Sequence, residues 1–316
     1  MNTSFTPARG TAAIPPLPRT RSATMSGTVA GATTRVATLV LQAPHEPGIV
    51  TALSRLLAGR GATTLDSAHF SDASTGTYFQ RVQLDLHSLA VDRTGLEADL
   101  ADLALRHALR WRLWYGDRKR RLAIFASKED HCLYDLLIRH RNGELQCDVS
   151  MVLSNHADAG KIATHFNIPF HHLPVTPITK PQQEAQAAAL IDAAGVDLIV
   201  LARYMQILSP AFVARYPGQI INVHHSFLPA FIGASPYRQA HEKGVKMIGA
   251  TSHYVTADLD QGPIIEQTTV RCGHRDSVAD LVRKGREAEK HVLAAAVRWH
   301  LEDRVLVDGG KTVVFE

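Results

Sequence analysis

Asn222 and His224 stand two positions apart in the run Ile220-Ile-Asn-Val-His-His-Ser-Phe-Leu-Pro229. On an extended chain such a pair shares one face, so an amide donor and an imidazole are presented together near the end of an apolar strand. His225 turns to the other face, and Pro229 stops the strand. Hydrogen-bond donation and proton transfer are the chemistry this pair offers. Taken alone, the run reads equally well as a core histidine with an asparagine capping a turn. A second run, Gly249-Ala-Thr-Ser-His-Tyr-Val-Thr-Ala-Asp-Leu-Asp-Gln-Gly-Pro-Ile-Ile-Glu266, carries Asp258 and Asp260 into a Gly262-Pro263 turn. Acids in turns are usually solvated or capping. Here the turn lies between two apolar stretches, where an inward carboxylate needs a partner.

The 17 histidines invite a metal reading. The adjacent pairs His171-His172 and His224-His225 diverge on strands, and no HExxH or comparable ligand spacing occurs, so no metal site is expected. Cys132, Cys147 and Cys272 form no CxxC pair, and an odd number of scattered thiols points to a reducing, cytoplasmic setting. The net charge of +4 is local, because residues 1–24 hold three arginines and no acid, and without them the charge is +1. The pI near 9.0 therefore does not indicate a nucleic-acid-binding face. With 45% hydrophobic and 20% charged residues, the composition of the 316-residue chain is that of an ordinary globular protein of two domains. No apolar run approaches the ~20 residues of a membrane helix, and the best, Val196–Ala202, contains Asp197.

The elements that must position these groups fall into two units. Residues 1–33, rich in Ser, Thr, Ala, Gly and Pro, are expected to be a disordered tail. Residues 34–117 follow the order βαββαβ: a β-rich run Arg35–Gln42, a helical face of Ile49, Leu53 and Leu56, strands at Thr63–Ser71 and around Val82–Leu86, a helix through Leu96 and Leu103, and a strand Arg110–Tyr115. This predicts an antiparallel sheet with two helices on one face. The basic stretch Asp117–Arg121 reads as a solvated hinge. Residues 118–316 alternate short apolar strands with helices and end on a long helix near Ser277–Arg304. Continuous apolar strands suit a parallel sheet buried on both faces, hence a doubly wound α/β domain that binds ligands beyond the carboxyl ends of its strands.

The two polar runs together resemble the catalytic domain of folate-dependent formyltransferases, whose pattern is Asn-x-His, Ser-x-Leu-Pro and, further on, Asp-x-Gly before a strand. Asn222, His224, Ser226, Leu228, Pro229, Asp260 and Gly262 match it, and Leu201-Ala-Arg-Tyr-Met-Gln-Ile-Leu-Ser-Pro-Ala-Phe212 is similar to the family's folate-pocket segment. Ser127-Lys-Glu-Asp-His-Cys-Leu-Tyr-Asp-Leu-Leu137, Ser154-Asn-His156, Ile168-Pro-Phe170, Lys180, Glu184, the doubled His224-His225 and Ser226-Phe-Leu-Pro-Ala-Phe-Ile-Gly233 resemble the formyltetrahydrofolate deformylase family. The first unit resembles an ACT domain of ferredoxin-like fold.

The resemblance implies hydrolysis of 10-formyltetrahydrofolate to tetrahydrofolate and formate, feeding one-carbon and purine metabolism. It implies Asn222, His224 and Asp260 as catalytic residues, Met205, Ile207 and Leu208 as pterin-pocket residues, and no cofactor, the folate being substrate. Strand-end core packing is the plainer reading of the last three. The chemistry needs oxyanion donors and a proton shuttle. The alternatives are formyl transfer to glycinamide ribonucleotide, whose enzyme holds a phosphate on a Gly-rich loop after the first strand, and a silent folate or amino-acid sensor. Here that loop reads Ser127-Lys-Glu-Asp-His131, without glycine and with two acids, and Ser127 also suits a helix cap. In the ACT-like unit His45 stands where the family often has Asp, which leaves an amino-acid effector open. A homo-oligomer is expected, with neither nucleic acid nor membrane as partner.

Overall fold

The computed structural model describes residues 35–229 and 236–316. The tail expected at residues 1–33 lies outside them, as does the stretch 230–233 of the Ser226–Gly233 motif.

The first unit follows the predicted order: β1 (Val36–Pro44), α1 (Ile49–Gly59), β2 (Thr63–Asp72), β3 (Thr77–Asp85), α2 (Arg93–His107) and β4 (Arg110–Tyr115). The strands lie in the order β2-β3-β1-β4, all antiparallel. Leu39, Leu41 and Leu84 on one face of the sheet pack with Leu53 of α1 and Leu96 and Leu100 of α2. Alternation along β1 and β3 turns Val40, Phe79 and Arg81 to the other face, and they too are buried.

The cover over that second face is a hairpin that the sequence reading did not anticipate. After the long terminal helix the chain forms β12 (Val305–Asp308) and β13 (Lys311–Val314). Leu306 and Phe315 close on Val40 and Phe79. Arg81 donates to the Glu302 carbonyl from Nε at 3.2 Å and Nη2 at 3.1 Å.

The second unit comprises β5 (Arg120–Ala126), α3 (His131–Arg141), β6 (Cys147–Ser154), α4 (Ala159–His165), β7 (Phe170–His172), α5 (Lys180–Ala194), β8 (Leu198–Ala202), α6 (Pro210–Arg215), β9 (Ile220–His224), α7 (Pro236–Glu242), β10 (Met247–Tyr254), β11 (Ile264–Arg271) and α8 (Val278–Leu301). Its seven-stranded sheet runs β11-β10-β9-β8-β5-β6-β7. The five strands from β7 to β9 are parallel, and β10 and β11 are antiparallel additions. Leu122, Ile124 and Ala126 of β5 face a core with α3 and α8, while Ala123 and Phe125 face one with α5 and α6. Burial on both faces explains the unbroken apolar strands. From β5 the chain steps outward to β6 on one side and later to β8 on the other, so the β5/β8 boundary is the topological switch point where ligands bind.

Asp117–Arg121 is exposed, as expected of a solvated linker, except at Arg120. Arg120 opens β5 with only 5% exposure, and its guanidinium lies 2.6 Å from Asp303. Arg112 of β4 reaches the same carboxylate at 2.7 Å. Asp197 takes Arg118 at 2.8 Å and the Arg121 N–H at 2.8 Å. Basic clustering along the chain was read as solvation, whereas the carboxylates that partner Arg118, Arg120 and Arg121 come from 76 to 183 positions away.

Candidate active site

Asn222 and His224 lie on β9 with His224 at its carboxyl end, and β10 runs antiparallel beside them, placing His253 opposite Asn222. Asp260 sits in the turn between β10 and β11, at φ 55. The turn is tight because Gly262 has no side chain: a Cβ there would lie 1.7 Å from the Tyr254 carbonyl oxygen. That closeness turns the Asp260 carboxylate back over the strand ends.

The resulting cluster has four members. His224 Nδ1 is 3.2 Å from Asp260 Oδ2, and His253 Nε2 is 3.6 Å from Asp260 Oδ1. The Asn222 amide nitrogen is 3.3 Å from His253 Nε2. His253 Nδ1 lies 2.9 Å from the Tyr254 carbonyl, which only accepts, so that nitrogen carries a proton. In the neutral ring Nε2 is then an acceptor for one Asn222 N–H, and the other amide hydrogen is left for a ligand. The hydrogen bond from His224, with the His253 imidazole beside it, holds the Asp260 carboxyl well below the usual carboxylate range, against the opposing effect of burial. His224 Nε2 is buried and has no hydrogen-bonding partner among the described residues. With Nδ1 facing Asp260, Nε2 is the atom free to meet a substrate.

The strand ends around the cluster are fixed by buried hydroxyls. Thr251 Oγ1 donates to the Ser226 carbonyl at 2.9 Å and accepts from the Leu228 N–H at 3.1 Å. Ser252 Oγ donates to the Asn222 carbonyl at 3.0 Å. The Leu228–Pro229 peptide that follows is cis.

Met205, Ile207 and Leu208 belong to the irregular segment between β8 and α6. Met205 is 56% and Ile207 61% exposed, so neither is strand-end core; Leu208 is half-buried against the α5/α6 core. Ser127 Oγ, expected as a helix cap, instead accepts from the Met205 N–H at 3.2 Å and donates to Asn155 Oδ1 at 2.6 Å. It thereby ties the ends of β5, β6 and β8 across the switch point, and α3 has no side-chain cap. Glu129, one of the two acids of the Ser127–His131 segment, is paired with Arg286 at 2.6 Å.

On the α8 side of the sheet lies a buried polar group that sequence reasoning missed. Glu289, 1% exposed, accepts from Tyr237 at 2.7 Å and meets His131 Nε2 at 2.7 Å and Arg203 Nε at 3.4 Å. Burial opposes its ionisation, yet His131, Arg203 and Tyr237 together hold its carboxyl below the usual range. Cys132 completes a His131–Cys132–Glu289 cluster of metal-donor type. Burial raises the Cys132 thiol well above its ordinary pKa, and a guanidinium already stands beside the carboxylate, so the donor chemistry is that of an ion-pair network. His225 points to this side, its ring centroid 5.1 Å from that of His224 and 6.2 Å from that of Tyr237. Burial, then the Arg203 charge, lowers its pKa to about 4.

His253 stood inside the run that marked Asp260, but its role depends on the β9–β10 register, which no local pattern reveals. Arg203 and Glu289 are 86 positions apart with no motif linking them; an arginine ending an apolar strand was the available signal.

Comparison with known proteins places this geometry among relatives. Residues 120–297 match the family described as formyl transferase. The chain is similar to formyltetrahydrofolate deformylases of Synechocystis sp., 47% identical over 88% of this chain and 98% of that one, and of Bacillus subtilis, 46% identical over 88% and 93%. Among solved structures it is similar to a formyltetrahydrofolate deformylase from Pseudomonas syringae pv. tomato, with a TM-score of 0.87 and 45% identity over 90% of this chain and 96% of that one. It is also similar to glycinamide ribonucleotide transformylase 1 from Symbiobacterium toebii, with a TM-score of 0.59 and 33% identity, over 95% of that chain but 63% of this one.

Proposed function

The chain belongs to the formyltetrahydrofolate deformylase family, a hydrolase of 10-formyltetrahydrofolate, and we propose that Asn222, His224 and Asp260 carry out the hydrolysis with His253 positioning Asn222. The observation that carries this reading is the His224–Asp260 contact of 3.2 Å, which leaves His224 Nε2 without a partner among the described residues.

The substrate's formyl carbon enters opposite that nitrogen. Water adds to the carbon through its oxygen, and the Asp260–His224 pair accepts one of its protons. The oxyanion is held by the free Asn222 N–H and by the Nε2–H of the imidazolium, whose charge Asp260 balances. Collapse breaks the bond from carbon to N10, the proton passes to N10, and formate and tetrahydrofolate leave. Such a donor typically contributes ~10²–10³ in rate. Met205 and Ile207 offer exposed apolar surface to the pterin, with Leu208 behind them.

No cofactor or metal enters this scheme. An amino-acid effector site in the turn from His45 to Gly48 is part of the proposal, as is a homo-oligomer built through β2, an edge strand whose residues are nearly all exposed. Neither nucleic acid nor membrane is proposed as a partner; no helix among the described residues is long and apolar enough to cross a membrane. A cytoplasmic location is proposed from the three free thiols. The deciding experiment is formate release from 10-formyltetrahydrofolate by the purified protein without an amine. Stoichiometric formylation of glycinamide ribonucleotide would instead favour a transferase.

A further inference from the structure

The segment after β8 divides the site into two sides. Leu208 and Ser209 turn to the α5/α6 face, where Leu208 joins the core and the Ser209 N–H donates to Glu184 at 2.8 Å. Arg203 turns to the α8 face, to Glu289. Arg203 lies just beyond the end of β8, two residues after Leu201, which pairs with Asn222. The proposed pterin residues lie along one limb of this segment and the cation along the other.

Formyl transfer needs both sides. The folate leaves from one, and an amine must reach the same carbon from the other. Hydrolysis needs room for only a water molecule there. The far side in this chain is closed by a knot drawn from four elements: Arg203 after β8, His131 of α3, Tyr237 of α7 and Glu289 of α8. Gly285 belongs to its construction, because a Cβ there would lie 2.0 Å from the Tyr237 hydroxyl. The Arg203 side chain is 12% exposed, and its Nη1 has no hydrogen-bonding partner among the described residues. Its backbone takes φ 59, a conformation uncommon for a residue with a side chain. Strain and an unmet donor are both costs, which an arginine kept only for packing would not incur.

We infer that Arg203 is the specificity-determining residue of the deformylase site: its guanidinium, anchored on Glu289, occupies the approach an amine acceptor would use and leaves water as the nucleophile. The inference rests on the hydrolase reading above. Two effects act together. The side chain fills the space, and its positive charge repels an acceptor amine, which in neutral water is largely an ammonium ion. A water molecule is small, uncharged and able to accept from Nη1.

With the approach open, the competing step is balanced without any further reagent. The amine nitrogen bonds to the formyl carbon, the bond to N10 breaks, the amine's proton passes to N10, and a formamide leaves with tetrahydrofolate. The test measures the ratio of formylated amine to formate when the full-length enzyme turns over 10-formyltetrahydrofolate in the presence of glycinamide. The wild type is expected to give formate alone. Arg203→Gly, which suits the left-handed backbone, is expected to raise the ratio at least about tenfold. Arg203→Asn also tolerates that backbone and serves as the second emptying variant. Arg203→Lys keeps charge and most of the bulk and is expected to stay at the wild-type ratio. A folded Gly or Asn variant with an unchanged ratio overturns the inference. So does one that releases neither product, since Arg203 would then belong to the hydrolytic machinery. Formylglycinamide from the wild type overturns it whatever the variants do. Absence of formate from the wild type without amine would instead strike the hydrolase reading.

Discussion

His253 and Asn222 face each other across the β9–β10 ladder with His253 Nε2 3.3 Å from the Asn222 amide nitrogen, while His253 Nδ1 is tied to the carbonyl of Tyr254. The second bond sets the tautomer, the tautomer makes Nε2 an acceptor, and the acceptor fixes which way the carboxamide turns. The Asn222 nitrogen is thus oriented by a residue that need not touch the substrate. His253→Phe should lower kcat by up to ~10², the loss expected for one misdirected oxyanion donor, with KM little changed. A fall in KM-dependent terms alone would show that His253 serves binding instead.

Asp260→Asn keeps the shape of the turn and removes the charge. Formate release should fall by ~10² or more, while the folate still binds, measured by quenching of protein fluorescence or by calorimetry. Wild-type turnover in the purified variant would remove Asp260 from the proton path.

The pH dependence separates the two adjacent histidines. His225, with its pKa lowered to about 4, forms an imidazolium only below that pH and is neutral from pH 5 upward. His225→Gln should therefore leave the acid limb of the kcat–pH profile in place even if kcat drops. Asp260, held well below the usual carboxylate range, stays ionised across the same interval and contributes no limb above pH 5. An acid limb displaced in His225→Gln would mean that His225 titrates during turnover.

Asp303 is 3% exposed and is shared by Arg112 and Arg120. Although burial opposes ionisation, Arg120 and Arg112 hold its carboxyl below the usual range. A lowered pKa stabilises the fold above the ordinary value of about 3.9, and that stability is lost as pH falls from there through the folded value. Asp303→Asn leaves two buried guanidinium groups short of a counter-charge and should cost ~3–5 kcal/mol in urea unfolding at pH 7. The gap between wild type and variant should narrow below about pH 4.

Gly285→Ala should destabilise by ~1–3 kcal/mol through the clash with Tyr237. In combination with Tyr237→Ala, which removes the opposing ring, the added methyl should cost much less than it does alone. Equal costs in both backgrounds, read from thermal melts, would place the clash elsewhere.

The fold was legible where local pattern decides. Apolar alternation in Val82–Leu86, the continuous run at Leu198–Leu201 and the Gly262-Pro263 turn are each read within a few residues, and the elements they predict are present. Asn222 and His224 were legible for the same reason, since strand periodicity sets their shared face. Arg120, Arg203 and Glu289 were not. Their environments come from pairing between distant segments, and a charged side chain in sequence looks solvated until its partner is known. The hairpin at Val305–Val314 escaped notice because four-residue strands leave almost no periodic signal.

That hairpin has a consequence for the order in which the protein is completed. Thr75 of the first unit bonds to Asp308, 233 positions later, and Val40 and Phe79 meet Leu306 and Phe315 over a comparable span. On the ribosome, at roughly 5–20 residues per second, the helical side of the first sheet can close early, while its other side waits tens of seconds bare. Throughout that wait a nascent chain displays an apolar surface that the finished enzyme hides. The interval is therefore one in which chaperones, or neighbouring chains on the same message, compete with the chain's own last strands.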